Sequence, residues 1–288
     1  MLRIALPNKG RLADETRELF EDAGLDVRTG SPRALVASLG GVFEALFVRA
    51  QDIAEFVADG AADVGVTGHD LVAESGRELD TLLDLGFGRC RLVLAAHDER
   101  GAASAEALLP GTRVATSFPR IAREFFERRH LAVEIVPVSG AAEIAPHVGI
   151  ADVVVDLTST GSTMRVNGLR EIETLLESTA RLVSRPGARA ADENGTDALG
   201  ELVMALESVL RARGRRYVMA NVPRSALPEV RAVLPGLNGP TVTEVLDGGR
   251  FVAVHAVVAA DVLMSTISGL RRLGAEGILV TRIERLVP

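Results

Sequence analysis

Residues 152–163, Asp152-Val-Val-Val-Asp156-Leu-Thr158-Ser159-Thr160-Gly161-Ser162-Thr163, read as an apolar strand that ends on an acid and opens into a hydroxyl-rich turn around one glycine. A strand giving way to such a turn is a unit of an α/β fold, where ligands collect at the strand ends. Successive backbone N–H groups in the turn form an anion-binding concavity, and Thr and Ser hydroxyls add donors that suit a phosphate monoester. Asp156 at the strand end faces the same crevice, where a carboxylate accepts hydrogen bonds from sugar hydroxyls. The competing explanation is a turn whose hydroxyls bond their own backbone. The preceding strand and the flanking acid favour the phosphate.

The same alternation runs outward from this segment. Apolar spacing predicts strands at 112–115 and 133–138, helices at 119–129 and 141–149, and, nearer the start, strands at 2–6, 41–48, 64–67 and 90–95. Leu12, Thr16, Leu19, Phe20 and Ala23 fall at helical spacing, a second helix covers 52–59, and a third starts after residues 68–70. This order predicts parallel sheets with flanking helices. Residues 184–195 (SRPGARAADENG) read as a loop, and Asp197 caps a helix reaching about residue 213. Beyond it come a strand at 217–222, a helix at 225–234, strands at 241–246 and 251–259, a helix at 261–273 and a strand at 277–286. That β-α-β-β-α-β order predicts a ferredoxin-like module at 214–288, with Leu263, Ile267 and Leu270 on one helix face.

Of the 32 basic residues, one is lysine, Lys9. It is followed by Gly10, so the Gly-Lys-Ser/Thr step of a P-loop hydrolase is excluded. A Schiff-base enzyme could use only Lys9. The single cysteine, Cys90, excludes a thiolate metal cluster and an intrachain disulfide. A net charge of −7 and a pI near 5.4 argue against nucleic acid as a partner. The longest apolar stretch, 251–264, carries His255 and Asp261 and falls short of the ~20 residues of a membrane span. The first apolar residues run straight into Pro7-Asn8-Lys9 without a signal pattern, so a cytoplasmic protein that meets no membrane is expected.

Pro7-Asn8-Lys9-Gly10-Arg11-Leu12 puts two cations where the first strand ends. Lysine is a compact charge with three donors, suited to polyphosphate oxygens, although an exposed loop cation would look the same. In Ala62-Asp63-Val-Gly65-Val-Thr67-Gly68-His69-Asp70, the glycines permit close backbone approach and Asp70 doubles as a helix cap. His69 is equally ambiguous. No His-Glu-x-x-His or Gly-x-Ser-x-Gly pattern occurs, and Gly86-Phe-Gly88 lacks the third glycine of a dinucleotide fingerprint. The Thr116-Ser117 turn before Pro119 has a structural explanation, whereas Glu143, in a turn beside a phosphate site, would orient a cation, a sugar or metal-bound water. Anion-friendly turns without a nucleophile or a cofactor fingerprint fit a transferase acting on two phosphate-bearing substrates. Positioning two reactants can supply about 7–11 kcal/mol of the barrier.

PNKGRL (7–12), ADVGVTGHDLV (62–72), LGFGRCRLVLA (85–95), RVATSFP (113–119), GAAEIAPHVGIAD (140–152) and DVVVDLTSTGSTM (152–164) together resemble the ATP phosphoribosyltransferase family, over essentially the whole chain. The module after about residue 214 resembles the regulatory domain of its long form. The resemblance implies condensation of ATP with 5-phosphoribosyl-1-pyrophosphate (PRPP) and a requirement for Mg²⁺, with metal ligands unassigned. It implies an α/β fold of two subdomains like those of type II periplasmic binding proteins around a cleft. The first would take residues 1–93 and 184–213 and the second 94–183, with crossings near 91–96 and 181–184. Thr158, Ser159, Thr160, Gly161, Ser162 and Thr163 would hold the 5′-phosphate, with Asp156 near the ribose hydroxyls. Lys9 and Arg11 would neutralise pyrophosphate and ATP phosphates, while Arg49 and Asp70, on the ATP side, and Glu143 would line the same cleft. Histidine would inhibit through Asn221 and Thr241, AMP is a further inhibitor to test, and a homo-oligomer from dimer to hexamer is implied. Some relatives carry Asp where Asn221 stands, and an acid would pair more strongly with the effector's ammonium.

Two other readings use the same residues. A binding-protein-like cleft joined to an amino-acid-sensing module describes a cytoplasmic solute sensor without catalysis. A phosphoribosyltransferase acting on a free base would share the 158–163 loop but not PNKGRL or the C-terminal module.

Overall fold

The computed structural model describes residues 1–28, 34–97, 102–188, 197–246 and 248–287. Residues 189–195 of the loop expected at 184–195 lie outside them. By contacts the chain divides into two units, Met1–Val203 and Met204–Pro288.

The first unit opens with β1 (Arg3–Pro7), α1 (Ala13–Asp22), β2 (Val27–Arg28), β3 (Val36–Leu39), β4 (Phe43–Val48), α2 (Ile53–Ala58), β5 (Val64–Gly68), α3 (His69–Ser75) and β6 (Asp80–Asp84). It continues through β7 (Cys90–His97), β8 (Thr112–Thr116), α4 (Pro119–Arg128), β9 (Val133–Pro137), β10 (Val153–Thr158), α5 (Ser162–Val166), β11 (Leu169–Ser178) and β12 (Ala180–Ser184), and α6 (Ala198–Ala212) follows. Two sheets result, ordered β2-β3-β4-β1-β5-β12-β6 and β11-β7-β10-β8-β9. Alternate small and branched residues let β1 and β5 be covered by helices, and Ile53 and Val57 of α2 pack on Ala5 in a fully buried cluster. In the second sheet, α4 puts Ile121, Ala122, Phe125 and Phe126 onto Leu92, Leu94, Val114 and Val155. Pro119 sits in the first turn of α4, where its missing N–H costs nothing.

The expectation of parallel sheets needs correction: both are mixed. β1 is parallel to β4 and β5, and β8 to β9 and β10, but β7 is antiparallel to β10 and β11, and β12 to β5 and β6. Strands β7, β11, β12 and β6 flank the two crossings, where a strand arriving from the other sheet enters in the opposite direction, and away from the crossings β3 is antiparallel to β2 and β4. The chain changes sheet between Asp84 and Cys90 and again at Thr179, a few residues before the crossings expected at 91–96 and 181–184. The helix expected at 141–149 is a 3-10 turn over Ala142–Ile144. Ala141 at φ 48° and Pro146, which has no N–H to bond back along a helix, account for the stop. Strand β11 was not foreseen because two bulges, between Glu171 and Glu173 and between Thr174 and Leu176, break its alternation.

The second unit contains β13 (Arg215–Pro223), α7 (Leu227–Val233), β14 (Thr241–Glu244), β15 (Phe251–Ala259), α8 (Leu263–Arg272) and β16 (Glu276–Arg282). Its sheet order β14-β15-β13-β16, with every pair antiparallel, is the ferredoxin-like arrangement expected. Val218, Ala220, Val222, Val252, Val254 and Val258 alternate inward to meet Val230, Leu234 and Leu270. No helix among the described residues is long and apolar enough to cross a membrane.

Candidate functional site

Three parallel strands of the first sheet end side by side. Asn8 donates its N–H to the carbonyl of Val48 at 2.8 Å, and Thr67 donates its hydroxyl to the carbonyl of Ala50 at 2.7 Å, so the turns after β1, β4 and β5 are tied together. These turns carry Lys9 and Arg11, Arg49, and Asp70. Lys9 and Arg49 are exposed. Arg11 donates to the carbonyl of Gly88 and lies 3.6 Å from Asp70. Asp70 does not cap α3, whose N-cap is Gly68; its carboxylate accepts the Ser178 hydroxyl. His69 uses its backbone N–H on the carbonyl of Thr179 at 3.0 Å.

The second group gathers where β10 ends. Glu143, Asp156, Thr158, Ser159, Thr160, Ser162 and Thr163 line one pocket of about 330 Å³ together with Leu157 and Met164. Gly161, at φ 73°, turns the chain into α5, and its N–H is taken by the Thr158 hydroxyl at 2.8 Å. Thr160 and Ser162 share a hydrogen bond of 2.9 Å. Part of the hydroxyl set therefore shapes its own turn, and the exposed Ser159 and Thr163 remain on the pocket wall. The first N–H groups of α5 have no acceptor within the helix, which suits an anion. Burial raises the Asp156 carboxyl above the usual range; the N–H of Leu157 opposes this, and the charge of Glu143 adds to it. Two carboxylates thus face one small space. Thr116 and Ser117, by contrast, are spent on the N–H of Phe118 and the carbonyl of Val138.

A second pocket of about 410 Å³ shares Ser159 with the first and lies at the crossings. Arg89, Arg91 and Arg181 bring cations to it, and Asp84 and Glu177 bring acids. Arg91 is paired with Glu171 at 2.9 Å, and Arg181 with Asp84 at 2.9 Å. Burial pushes the Asp84 carboxyl up, but the Thr179 hydroxyl, the N–H of Gly86 and the charges of Arg181 and Arg89 together bring it below its usual value. Sequence reasoning missed these arginines as site residues. Arg89 and Arg91 flank Cys90 in plain view, but only the crossing, a tertiary feature, turns them toward Ser159. Lys9, Arg11, Arg49 and Asp70 line neither pocket.

In the second unit Asn221 on β13 pairs with Ala253, and Thr241 on β14 with His255, so the two candidates lie on strands flanking β15. Tyr217 shares a hydrogen bond with His255 on the same sheet.

Comparison with known proteins identifies the family. The family model described as ATP phosphoribosyltransferase matches residues 49–208, and that of the HisG C-terminal domain matches 212–285. An ATP phosphoribosyltransferase of Gemmatimonas aurantiaca is 68% identical, and one of Methanosarcina barkeri 46% identical, each over 100% of both chains. A solved ATP phosphoribosyl transferase (HisG:HisZ) complex from Thermotoga maritima superposes with a TM-score of 0.62 at 27% identity, over 72% of this chain and 99% of that one. The chain therefore belongs to the ATP phosphoribosyltransferase family, transferases of the first step of histidine biosynthesis, in the long form that carries the C-terminal domain.

Proposed function

We propose that this chain joins ATP, through adenine N1, to the anomeric carbon of PRPP, giving N1-(5-phosphoribosyl)-ATP and pyrophosphate. The observation that carries the reading is the pair of adjoining pockets that share Ser159, one walled by hydroxyls and two carboxylates and the other rich in arginine. The loop 158–163 takes the 5′-phosphate and Asp156 the ribose hydroxyls. Lys9, Arg11 and Arg49 neutralise pyrophosphate and ATP phosphates, with Asp70 behind Arg11. In domain terms, 1–93 with 184–213 would carry these cations, 94–183 the phosphoribosyl loop, and 214–288 the effector site. The transition state resembles an oxocarbenium ion with charge growing on the leaving group, so fixed cations lower the barrier without a side-chain nucleophile.

The residues also suit Mg²⁺. Glu143 and Asp156 are hard oxygen donors lining one pocket, and this ion is commonly held by one or two carboxylates together with substrate phosphates. Bound there, it would offset charge on the phosphates. Histidine acts as feedback inhibitor through Asn221 and Thr241. Assembly into a homo-oligomer is supported by the open, exposed edge strands β14 and β16 of the C-terminal sheet.

Incubating the protein with ATP, PRPP and Mg²⁺ and following pyrophosphate release tests the reading. Release with ATP is expected. Product from a free base and none from ATP would refute it.

A further inference from the structure

Asp70 is 1% exposed, and its Oδ2 has no hydrogen-bond partner among the described residues. A carboxylate so enclosed cannot reach a substrate, yet removing it from water is costly unless it is paired. Its pairing is local. Ser178, 4% exposed, donates its hydroxyl to Asp70 Oδ1 and accepts the backbone N–H of Asp70 at 3.0 Å. This reciprocal pair fixes both the rotamer of the serine and the start of α3. The same Oδ1 lies 3.6 Å from the guanidinium of Arg11, which also donates to the carbonyl of Gly88. About a third of the Arg11 side chain, 34%, stays exposed to meet an anion. Room for the carboxylate is kept by Gly68, where a Cβ would stand 2.2 Å from Asp70 Oδ1.

The position of this cluster gives it a role. Ser178 immediately precedes Thr179, where the chain crosses back to the first sheet, and Gly88 lies in the outgoing crossing. Cys90, which opens β7, is directly opposite Ser178 in the β7–β11 pair. Both crossing segments are therefore pinned to one arginine. We propose that Ser178 is a positioning residue for the transfer: acting through Asp70, it fixes the guanidinium of Arg11 at the joint where the two crossing segments meet. The proposal rests on reading Arg11 as a phosphate-neutralising cation. A fixed cation counts most where charge grows in the transition state, so its loss should fall on kcat more than on KM.

Cys90 supplies an activity-independent probe, because this single thiol is 6% exposed, lines the larger pocket and adjoins Arg11 and Ser178. The experiment compares Ser178→Ala in the native and Arg11→Met backgrounds, measuring kcat and KM for ATP and PRPP. The rate at which an aromatic disulfide reagent modifies Cys90 is measured in the same proteins without substrates. Expected are a fall in kcat of about tenfold in the native background, no further fall in Arg11→Met, and faster Cys90 modification in Ser178→Ala. An equal loss in both backgrounds would show a merely structural role and overturn the proposal, as would native kcat with native Cys90 protection. If the native protein does not turn over ATP and PRPP, the functional reading fails while the Cys90 rate still decides the clamp, an unchanged rate overturning it. Should Ser178→Ala not fold, Asp70→Asn, which keeps the size and removes the charge, goes through the same comparison.

Discussion

Lys9 stands exposed at the end of β1 in a chain whose other basic residues are all arginine. Arginine in its place would keep the charge but replace a compact ammonium with a planar, differently hydrated fork. Lys9→Arg is expected to lower kcat by about tenfold or more, equivalent to about 1.4 kcal/mol, with the melting temperature unchanged because the side chain is exposed. Stopped assays of pyrophosphate release, paired with thermal melts, check both halves. Asp156 makes the opposite kind of prediction. Its carboxyl is raised by burial, so the ionised form burdens the folded state: the native contribution is favourable when protonated and is lost as pH rises through the raised value. Asp156→Asn should therefore melt on the order of 2 °C higher than the native protein at neutral pH. The gap should close in acid, below the ordinary carboxylate range, and turnover should fall at every pH. A gap that widened on acidification would reverse the sign of the argument.

At the scale of elements, the turn joining β10 to α5 depends on Gly161. Its φ of 73° is left-handed, and a Cβ there would stand 2.6 Å from Glu171 Oε1. A left-handed non-glycine residue costs roughly 1–2 kcal/mol, and Glu171 would have to loosen its pairing with Arg91 to make room. Gly161→Ala is expected to raise the KM for PRPP by about tenfold and to leave the KM for ATP within twofold, as initial-rate kinetics would show. The single glycine amid hydroxyls made this turn legible from sequence. Strand β11, which supplies Glu171 behind it, was not legible, because its two bulges erase the period of two. The helix expected at 141–149 is reduced for a local reason that apolar spacing does not carry: Pro146 and the left-handed Ala141 confine it to one short turn.

At the scale of the whole molecule, the two units hold separate cores, one built around two mixed sheets and the other around the four-stranded sheet of β13 to β16. If the second is the histidine sensor, calorimetry should detect binding of histidine to the native chain, and Asn221→Asp should tighten it by about tenfold through a charge-assisted bond to the ammonium. Activity without histidine should be unaltered in that variant. An absence of heat with the native chain, together with undiminished turnover, would remove the sensor.

The sequence by itself determined the strand-turn-helix grammar, the ferredoxin-like order of the last 75 or so residues, the phosphate-friendly turn and the lone lysine. Those are local properties, set by side-chain spacing, glycine placement and hydroxyl content over a few residues. Only the tertiary structure decided that the sheets are mixed, that Asp70 is sealed behind Arg11 by Ser178 rather than capping a helix, and that Arg89, Arg91 and Arg181 share a pocket with Ser159. Each of these depends on where the chain crosses between sheets. A crossing brings together residues far apart in the chain, such as Asp70 and Ser178, 108 positions apart, and no periodicity within either segment encodes which partner it will meet.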